Sequence, residues 1–221
     1  MTNDIKNAID FITNITKHEL IKNLNVILKS ERWFVNHPEL SGKLYRKWND
    51  LYEMLTINVP TDGDMKTNVY ITKEILDRVG VEEDDAFNLA EIRAKINTDI
   101  SPMGQVMINL ASKNGMDSLE IPAESFYLPL VITSKDNGVE GAIGVIFTDK
   151  IAEIANAINC DLIIMPSSIH EVLVDRADRM SEREVLAMVR SINAICVSEQ
   201  DFLSDNVYKF TRETKDWTII S

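Results

Sequence analysis

The chain has 221 residues, 45% hydrophobic and 26% charged, as expected of a globular protein with one well-buried core, or one domain plus a helical extension. Its 23 Lys/Arg against 35 Asp/Glu leave a net charge of −12, which repels phosphate backbones and argues against direct nucleic-acid binding. No apolar run approaches the roughly 18 residues of a membrane helix, so no membrane partner is expected.

The charge is unevenly placed: residues 1–58 hold eight Lys/Arg against seven Asp/Glu, and the remainder holds 15 against 28. Such an acidic surface keeps a protein soluble and also suits a basic protein partner. The polar start Met1-Thr2-Asn3-Asp4 lacks the basic patch and apolar core of a signal peptide, so a cytoplasmic location is expected. Cys160 and Cys196 lie in apolar contexts and read as buried free thiols, since a disulfide fits that compartment poorly.

Taken in chain order, Ile5, Ala8, Ile9, Ile12, Ile15, Leu20, Leu24, Ile27 and Leu28 recur mostly at three- and four-residue gaps. That spacing predicts helix from Asp4 to Ser30, with a break around Thr16 to His18. Pro38-Glu39 then opens a second helical stretch with Leu40, Leu44, Trp48, Leu51, Tyr52 and Leu55 on one side. Residues 1–58 are therefore expected to form an N-terminal helical segment. Val59-Pro60-Thr61-Asp62-Gly63-Asp64 marks a boundary with an α+β domain over 65–221.

Beyond it, Lys66 to Ile71 predicts a strand, and Lys73 to Val79 a helix capped by Thr72 and stopped by Gly80. Another helix starts near Glu82, with Glu83, Asp84 and Asp85 in its first turn at the positive end of the helix dipole, and Phe87, Leu89, Ala90, Ile92, Ala94 and Ile96 are expected to give it a mostly buried surface. These four consecutive acids lack the spacing of a ligand ladder and are assigned to partner binding. Ser101-Pro102 opens a helix whose Met103, Val106, Met107, Leu110 and Ala111 are expected in the core. Ser125 to Thr133 and Val139 to Phe147 predict a hairpin around 134–138.

A helix over 149–159 follows, then strands at 162–165 and 169–174 on either side of Pro166-Ser167-Ser168. Ser181 and Glu184 form a capping-box pattern opening a helix to about Ile195. A last hairpin joins 206–211 to 217–220. The order predicts an α+β fold: N-terminal helices followed by a mainly antiparallel sheet with helices packed on one face.

Ser167, Ser168, His170 and Glu171 are the low-ranking candidates for catalysis. A hydrolytic site needs hydroxyl, imidazole and carboxylate joined in space. On a strand, Ser168 and His170 share a face about 7 Å apart at about 3.3 Å rise per residue, and Glu171 points the other way. The serines lack the Gly-x-Ser-x-Gly elbow. His18, His37 and His170 show no metal-binding spacing, so no metal is expected. Gly138, Gly141 and Gly144 do not open a helix as a phosphate cradle would, so no cofactor is expected either. Asp175, Asp178 and Glu182 read as a solvated acidic rim.

The segments Asp161 to Val172 (containing Pro-Ser-Ser-Ile-His-Glu), Met188 to Asn193 and Leu203 to Tyr208 resemble an uncharacterised bacterial family, a domain of unknown function from gut Clostridia, their relatives and mobile elements. Asn68 to Gly80 and Asn97 to Val106 resemble that family's middle region, so the likeness covers roughly residues 50–213. A more distant likeness is to an uncharacterised family of Bacillus-type bacteria. The resemblance implies an α+β fold and a bacterial or phage origin, and supplies no activity, cofactor or catalytic residue. The expected function is non-enzymatic protein binding, with the acidic surface as an inhibitor or nucleic-acid mimic engaging a basic partner. The alternatives are a small hydrolase using Ser167 or Ser168 with His170, and a small-molecule-binding module.

Overall fold

The computed structural model describes residues 3–40, 42–60, 66–115, 120–136, 138–166 and 168–221. They form two compact units that divide at Ile96/Asn97. Each unit is α+β, with its own antiparallel sheet.

The first unit opens with α1 (Asn3–Asn14) and α2 (Lys17–Asn23). The break at Thr16 arises because Thr16 caps α2: its side chain accepts the Glu19 amide, and Glu19 Oε2 accepts the Thr16 amide at 2.9 Å. The predicted helix ends at Asn23, since Leu24–Ser30 is strand β1. The second expected helix is also replaced. A 3-10 turn at Pro38–Leu40 leads to β2 (Tyr45–Trp48) and β3 (Leu51–Pro60). Both errors share one cause. β1 is buried at every position except the half-buried Asn25, so the two-residue alternation of a one-sided strand is absent, and leucines and isoleucines three or four apart imitate a helix. The N-terminal segment is therefore helical to Asn23 and, apart from the short α3 (Glu31–Asn36), chiefly sheet-forming beyond it.

β3 continues through Val59 and Pro60, which pair with Thr67 and Lys66 of β4 (Lys66–Tyr70). The boundary expected at 59–64 is thus a connection between paired strands inside the first unit, and Thr61 to Asp64 lie outside the described residues. β3 is central: β1 takes one edge, and β2 and β4 share the other. Cross-strand partners share a face. Val26 and Leu28 of β1, Arg46 of β2 and Glu53 and Leu55 of β3 therefore line one side, while Lys29, Tyr45, Lys47 and Tyr52 line the other. On that second side α3 packs by rings: Phe34 stacks on Tyr52 at 4.5 Å and meets Tyr45 edge-on at 4.9 Å.

α4 (Lys73–Val79) stops at Gly80, left-handed as expected at φ 68°, and α5 (Glu83–Asn97) follows. Thr72 stands at the N-cap of α4, although its side chain takes no capping amide. α5 buries Phe87 and, at four-residue spacing, Ala86, Ala90 and Ala94, which turns one face inward; Leu89, Ile92 and Ile96, expected in the buried surface, are exposed because they lie off that face.

The second unit contains β5 (Thr98–Pro102), α6 (Met103–Lys113), β6 (Leu130–Ser134), α7 (Thr148–Ile158), β7 (Leu162–Pro166), β8 (Val172–Arg176), α8 (Glu182–Cys196), β9 (Val207–Phe210) and β10 (Trp217–Ile220). Its sheet runs β10-β9-β7-β8-β6-β5, every neighbour antiparallel. β7 is buried throughout, as its continuous apolar run requires. Ile163 and Met165 pack with Val185 and Val189 of α8 and Val207 of β9. Leu162 and Ile164, paired with Phe210 and Tyr208, are buried on the opposite face. The Ser181/Glu184 capping box opens α8, and the last predicted hairpin is β9–β10.

Three expectations change here. Val139 to Phe147 is no strand: Gly141–Ile146 is a 3-10 turn lying on β6. Gly141 presses on the backbone of Thr133 and Ser134 with no room for a Cβ. In α6, Met103, Val106 and Met107 are half-buried and Leu110 is exposed, so of that stripe Ala111 alone is buried; Gly104 fits tightly against Ser125 and Phe126. Both cysteines are free, but Cys160 is half-buried and Cys196 exposed. No helix among the described residues is long and apolar enough to cross a membrane.

Candidate functional site

His170 lies in the connection between β7 and β8, and Val172 begins the strand that was expected to start at Ile169. Ser167 lies outside the described residues. The Ser168 amide donates to the Glu171 carbonyl at 3.2 Å, and the His170 amide donates to Ser168 Oγ at 3.1 Å. These local bonds replace ladder bonds and make a turn of what reads as a strand. Other segments pin it. Ile169 donates to the Asp201 carbonyl at 2.8 Å, while Gly141 N–H and Thr133 Oγ1 both donate to the His170 carbonyl at 3.0 Å.

The imidazole is held at both nitrogens. Glu140 N–H donates to Nδ1 at 3.1 Å, which makes Nδ1 the acceptor and leaves the ring proton on Nε2. Nε2 then donates to Asp201 Oδ1 at 3.2 Å. Asp201 is oriented in turn by Ser198, whose hydroxyl donates to Oδ2 at 2.8 Å and accepts the Asp201 amide at 3.2 Å.

In a hydrolytic triad the nitrogen opposite the carboxylate faces the nucleophile. Here that nitrogen receives a backbone amide, and Ser168 Oγ serves the turn. The arrangement ties three segments together: the 138–141 loop, the 168–171 turn and the 198–201 turn. Glu171 takes part through its carbonyl. Glu140 and Asp201 went unassigned from the sequence, 30 and 31 residues from their partner. The Ser-x-x-Asp spacing of Ser198 and Asp201 was the one available signal. His170→Ala is expected to lower the stability of this unit by about 1–2 kcal/mol in urea denaturation. Asp201→Asn, which keeps an acceptor for Nε2, is expected to cost less.

The acidic run Glu82, Glu83, Asp84 and Asp85 opens α5, with Glu83 half-buried and the other three exposed. Asp84 accepts from Arg46 Nη2 at 2.8 Å, and Nη1 of the same guanidinium reaches Glu91 on the next turns of α5 at 2.6 Å. The Arg46 guanidinium also covers the Phe87 ring at 4.3 Å. Glu53, opposite Arg46 on β3, completes the group. Its burial, and next the Glu91 charge, push the Glu53 carboxyl up to about 8, with Arg46 offsetting part of the rise. Neither Arg46 nor Glu53 stands out in the sequence, where both read as polar positions on a helix.

Of the other acids, Asp178 is bound by Arg176 at 2.8 and 2.6 Å, Asp175 by Arg179 at 3.0 Å and Glu182 by Lys209 at 3.3 Å. Arg176 holds the Asp178 carboxyl below the usual carboxylate range. Among the described residues, no group of three or more His, Cys, Asp or Glu side chains is placed to hold a metal ion.

Compared with known proteins, the chain matches the model of a family of unknown function (DUF5688) over residues 6–212. The match takes in the N-terminal segment that the sequence resemblance left out. No curated protein and no solved structure matches.

Proposed function

The chain belongs to this family of unknown function, so membership supplies no activity, and we propose that the protein is a protein-binding module whose helix α5 engages a basic partner. Support comes from one observation: α5 is apolar on two faces. The face with Ala86, Phe87, Ala90 and Ala94 is buried, while Leu89, Ile92 and Ile96 on another are 38%, 57% and 70% exposed. A helix that only packs on its own domain needs one apolar stripe. A second, solvent-facing one is a common mark of an interaction surface.

Leu89, Ile92 and Ile96 stand at i, i+3 and i+7, and Glu82 and Asp85 continue the same line toward the helix start. The complementary partner is a segment with apolar residues and a Lys/Arg cluster at one end, such as a surface that otherwise meets nucleic acid. The reading includes a cytoplasmic setting and a bacterial, phage or mobile-element origin, supported by the sequence resemblance and by the acidic composition.

Affinity capture from host lysate tests it, with wild type beside Leu89→Glu/Ile92→Glu and Glu82→Gln/Asp85→Asn variants. The expected result is a protein retained at low salt, released as salt rises, and lost with both variants. Binding indifferent to both pairs of substitutions, or to salt, would sink the idea.

A further inference from the structure

Glu53 is 4% exposed on the central strand of the first unit, and its Oε1 has no hydrogen-bond partner. Three elements face it. On β2 its cross-strand neighbour is Arg46, and on β1 it is Leu28, which is apolar. On α5 the charged groups on this side are Glu91 and Asp84, both reached by the Arg46 guanidinium, at 2.6 and 2.8 Å, while Arg93 of the same helix donates to the Leu24 carbonyl of β1 at 2.8 Å. One base thus serves three acids. Asp84 is 89% exposed and solvated, but with Glu53 and Glu91 both ionised the more buried side of this group would hold an uncompensated negative charge, so one acid keeps its proton. Glu53 is that acid: it is the most buried of the three and the one whose carboxyl is raised to about 8.

We propose that Glu53 is a proton-dependent latch for α5. Protonated, it leaves Arg46 to hold the helix on the sheet, chiefly through Glu91. Ionised, it competes for the same guanidinium and repels Glu91, and α5 is released. The latch operates whatever the outer face of α5 binds.

The direction with pH follows from linkage. In the released state Glu53 meets water and titrates as an ordinary carboxyl, at about 4.3. The stabilisation from its raised value is therefore complete below that pH and is lost as pH rises toward about 8. Between those limits the ratio of released to docked helix grows about tenfold per pH unit, and above the upper limit it levels off.

Hydrogen exchange of the α5 amides between Ala86 and Ala94, measured on the full chain from pH 6 to 8.5 and corrected for the intrinsic pH dependence of exchange, tests the latch. In wild type the opening constant is expected to climb about tenfold per unit and flatten near pH 8, and in Glu53→Gln to stay level. A level wild-type profile, or the same slope in both proteins, overturns the proposal. Should Glu53→Gln fail to fold, 13C NMR of the wild-type glutamate carboxyls decides instead. A Glu53 midpoint near 8 that coincides with the flattening of the wild-type α5 opening profile upholds the latch, and a midpoint in the ordinary carboxylate range, or one unaccompanied by a rise in α5 opening, removes it.

Discussion

Gly141→Ala is expected to unfold the second unit or to cost it at least about 3 kcal/mol, read by chemical denaturation against probes in each unit. A Cβ at this position would overlap Thr133 Cα and carbonyl carbon and Ser134 N, all main-chain atoms of β6 that no rotamer change can clear. The same glycine donates its amide to the His170 carbonyl at 3.0 Å, so backing away from β6 would also loosen the 168–171 turn. Gly144 is a neighbouring case, with its Cβ position 2.5 Å from Ile132 Cγ2 and 2.8 Å from Thr98 Cγ2. Gly80→Ala serves as the contrast. At φ +68° with nothing within 4 Å, it meets only left-handed backbone strain, about 1 kcal/mol.

Arg46→Ala carries the largest expected effect in the first unit, a loss of about 2–3 kcal/mol at neutral pH. Asp84 contributes little to this, since its side chain is 89% exposed and water replaces the lost ion pair. Most of the loss comes from Glu91, left beside Glu53 without a cation, and from the uncovered face of Phe87. Arg46→Lys recovers little, because an ammonium cannot span two carboxylates while lying flat on a ring. Adding Glu91→Gln to Arg46→Ala is expected to return part of the stability by removing the stranded charge. A double-mutant cycle in which the two effects simply add would contradict this account.

Much of the second unit could be read directly from the sequence, because its signals are local. A four-residue apolar run predicts β7, a Ser-x-x-Glu spacing predicts the start of α8, and a turn between two β-rich runs predicts β9–β10. The first sheet was hidden because both faces of β1 and β3 are covered, by α5 on one side and by α3 on the other. Under that double cover, Leu24, Ile27 and Leu28 carry no trace of strand alternation. Gly141 and Gly144 misled in the opposite way. In a run rich in β-branched residues they suggest a bulged strand, whereas their lack of side chains allows a compact turn to sit on β6. At the candidate sites, composition singled out His170 and the Glu82–Asp85 run. Their partners Asp201, Glu140 and Arg46 come from segments at least 30 residues away, and only the fold brings them together.

The pairing of Arg46 with Glu53 also bears on how β2 finds its place along β3. Sliding β2 by two residues would keep every side chain on its present face, so apolar patterning alone cannot tell the two alignments apart. Such a slide would move the guanidinium about 6.6 Å along the strand from its place opposite Glu53, at about 3.3 Å per residue. It would also pull Arg46 away from Glu91 and Phe87. A buried acid that weakens the first unit as pH rises thus acts as a key admitting one strand alignment, the role best attested for polar groups inside cores.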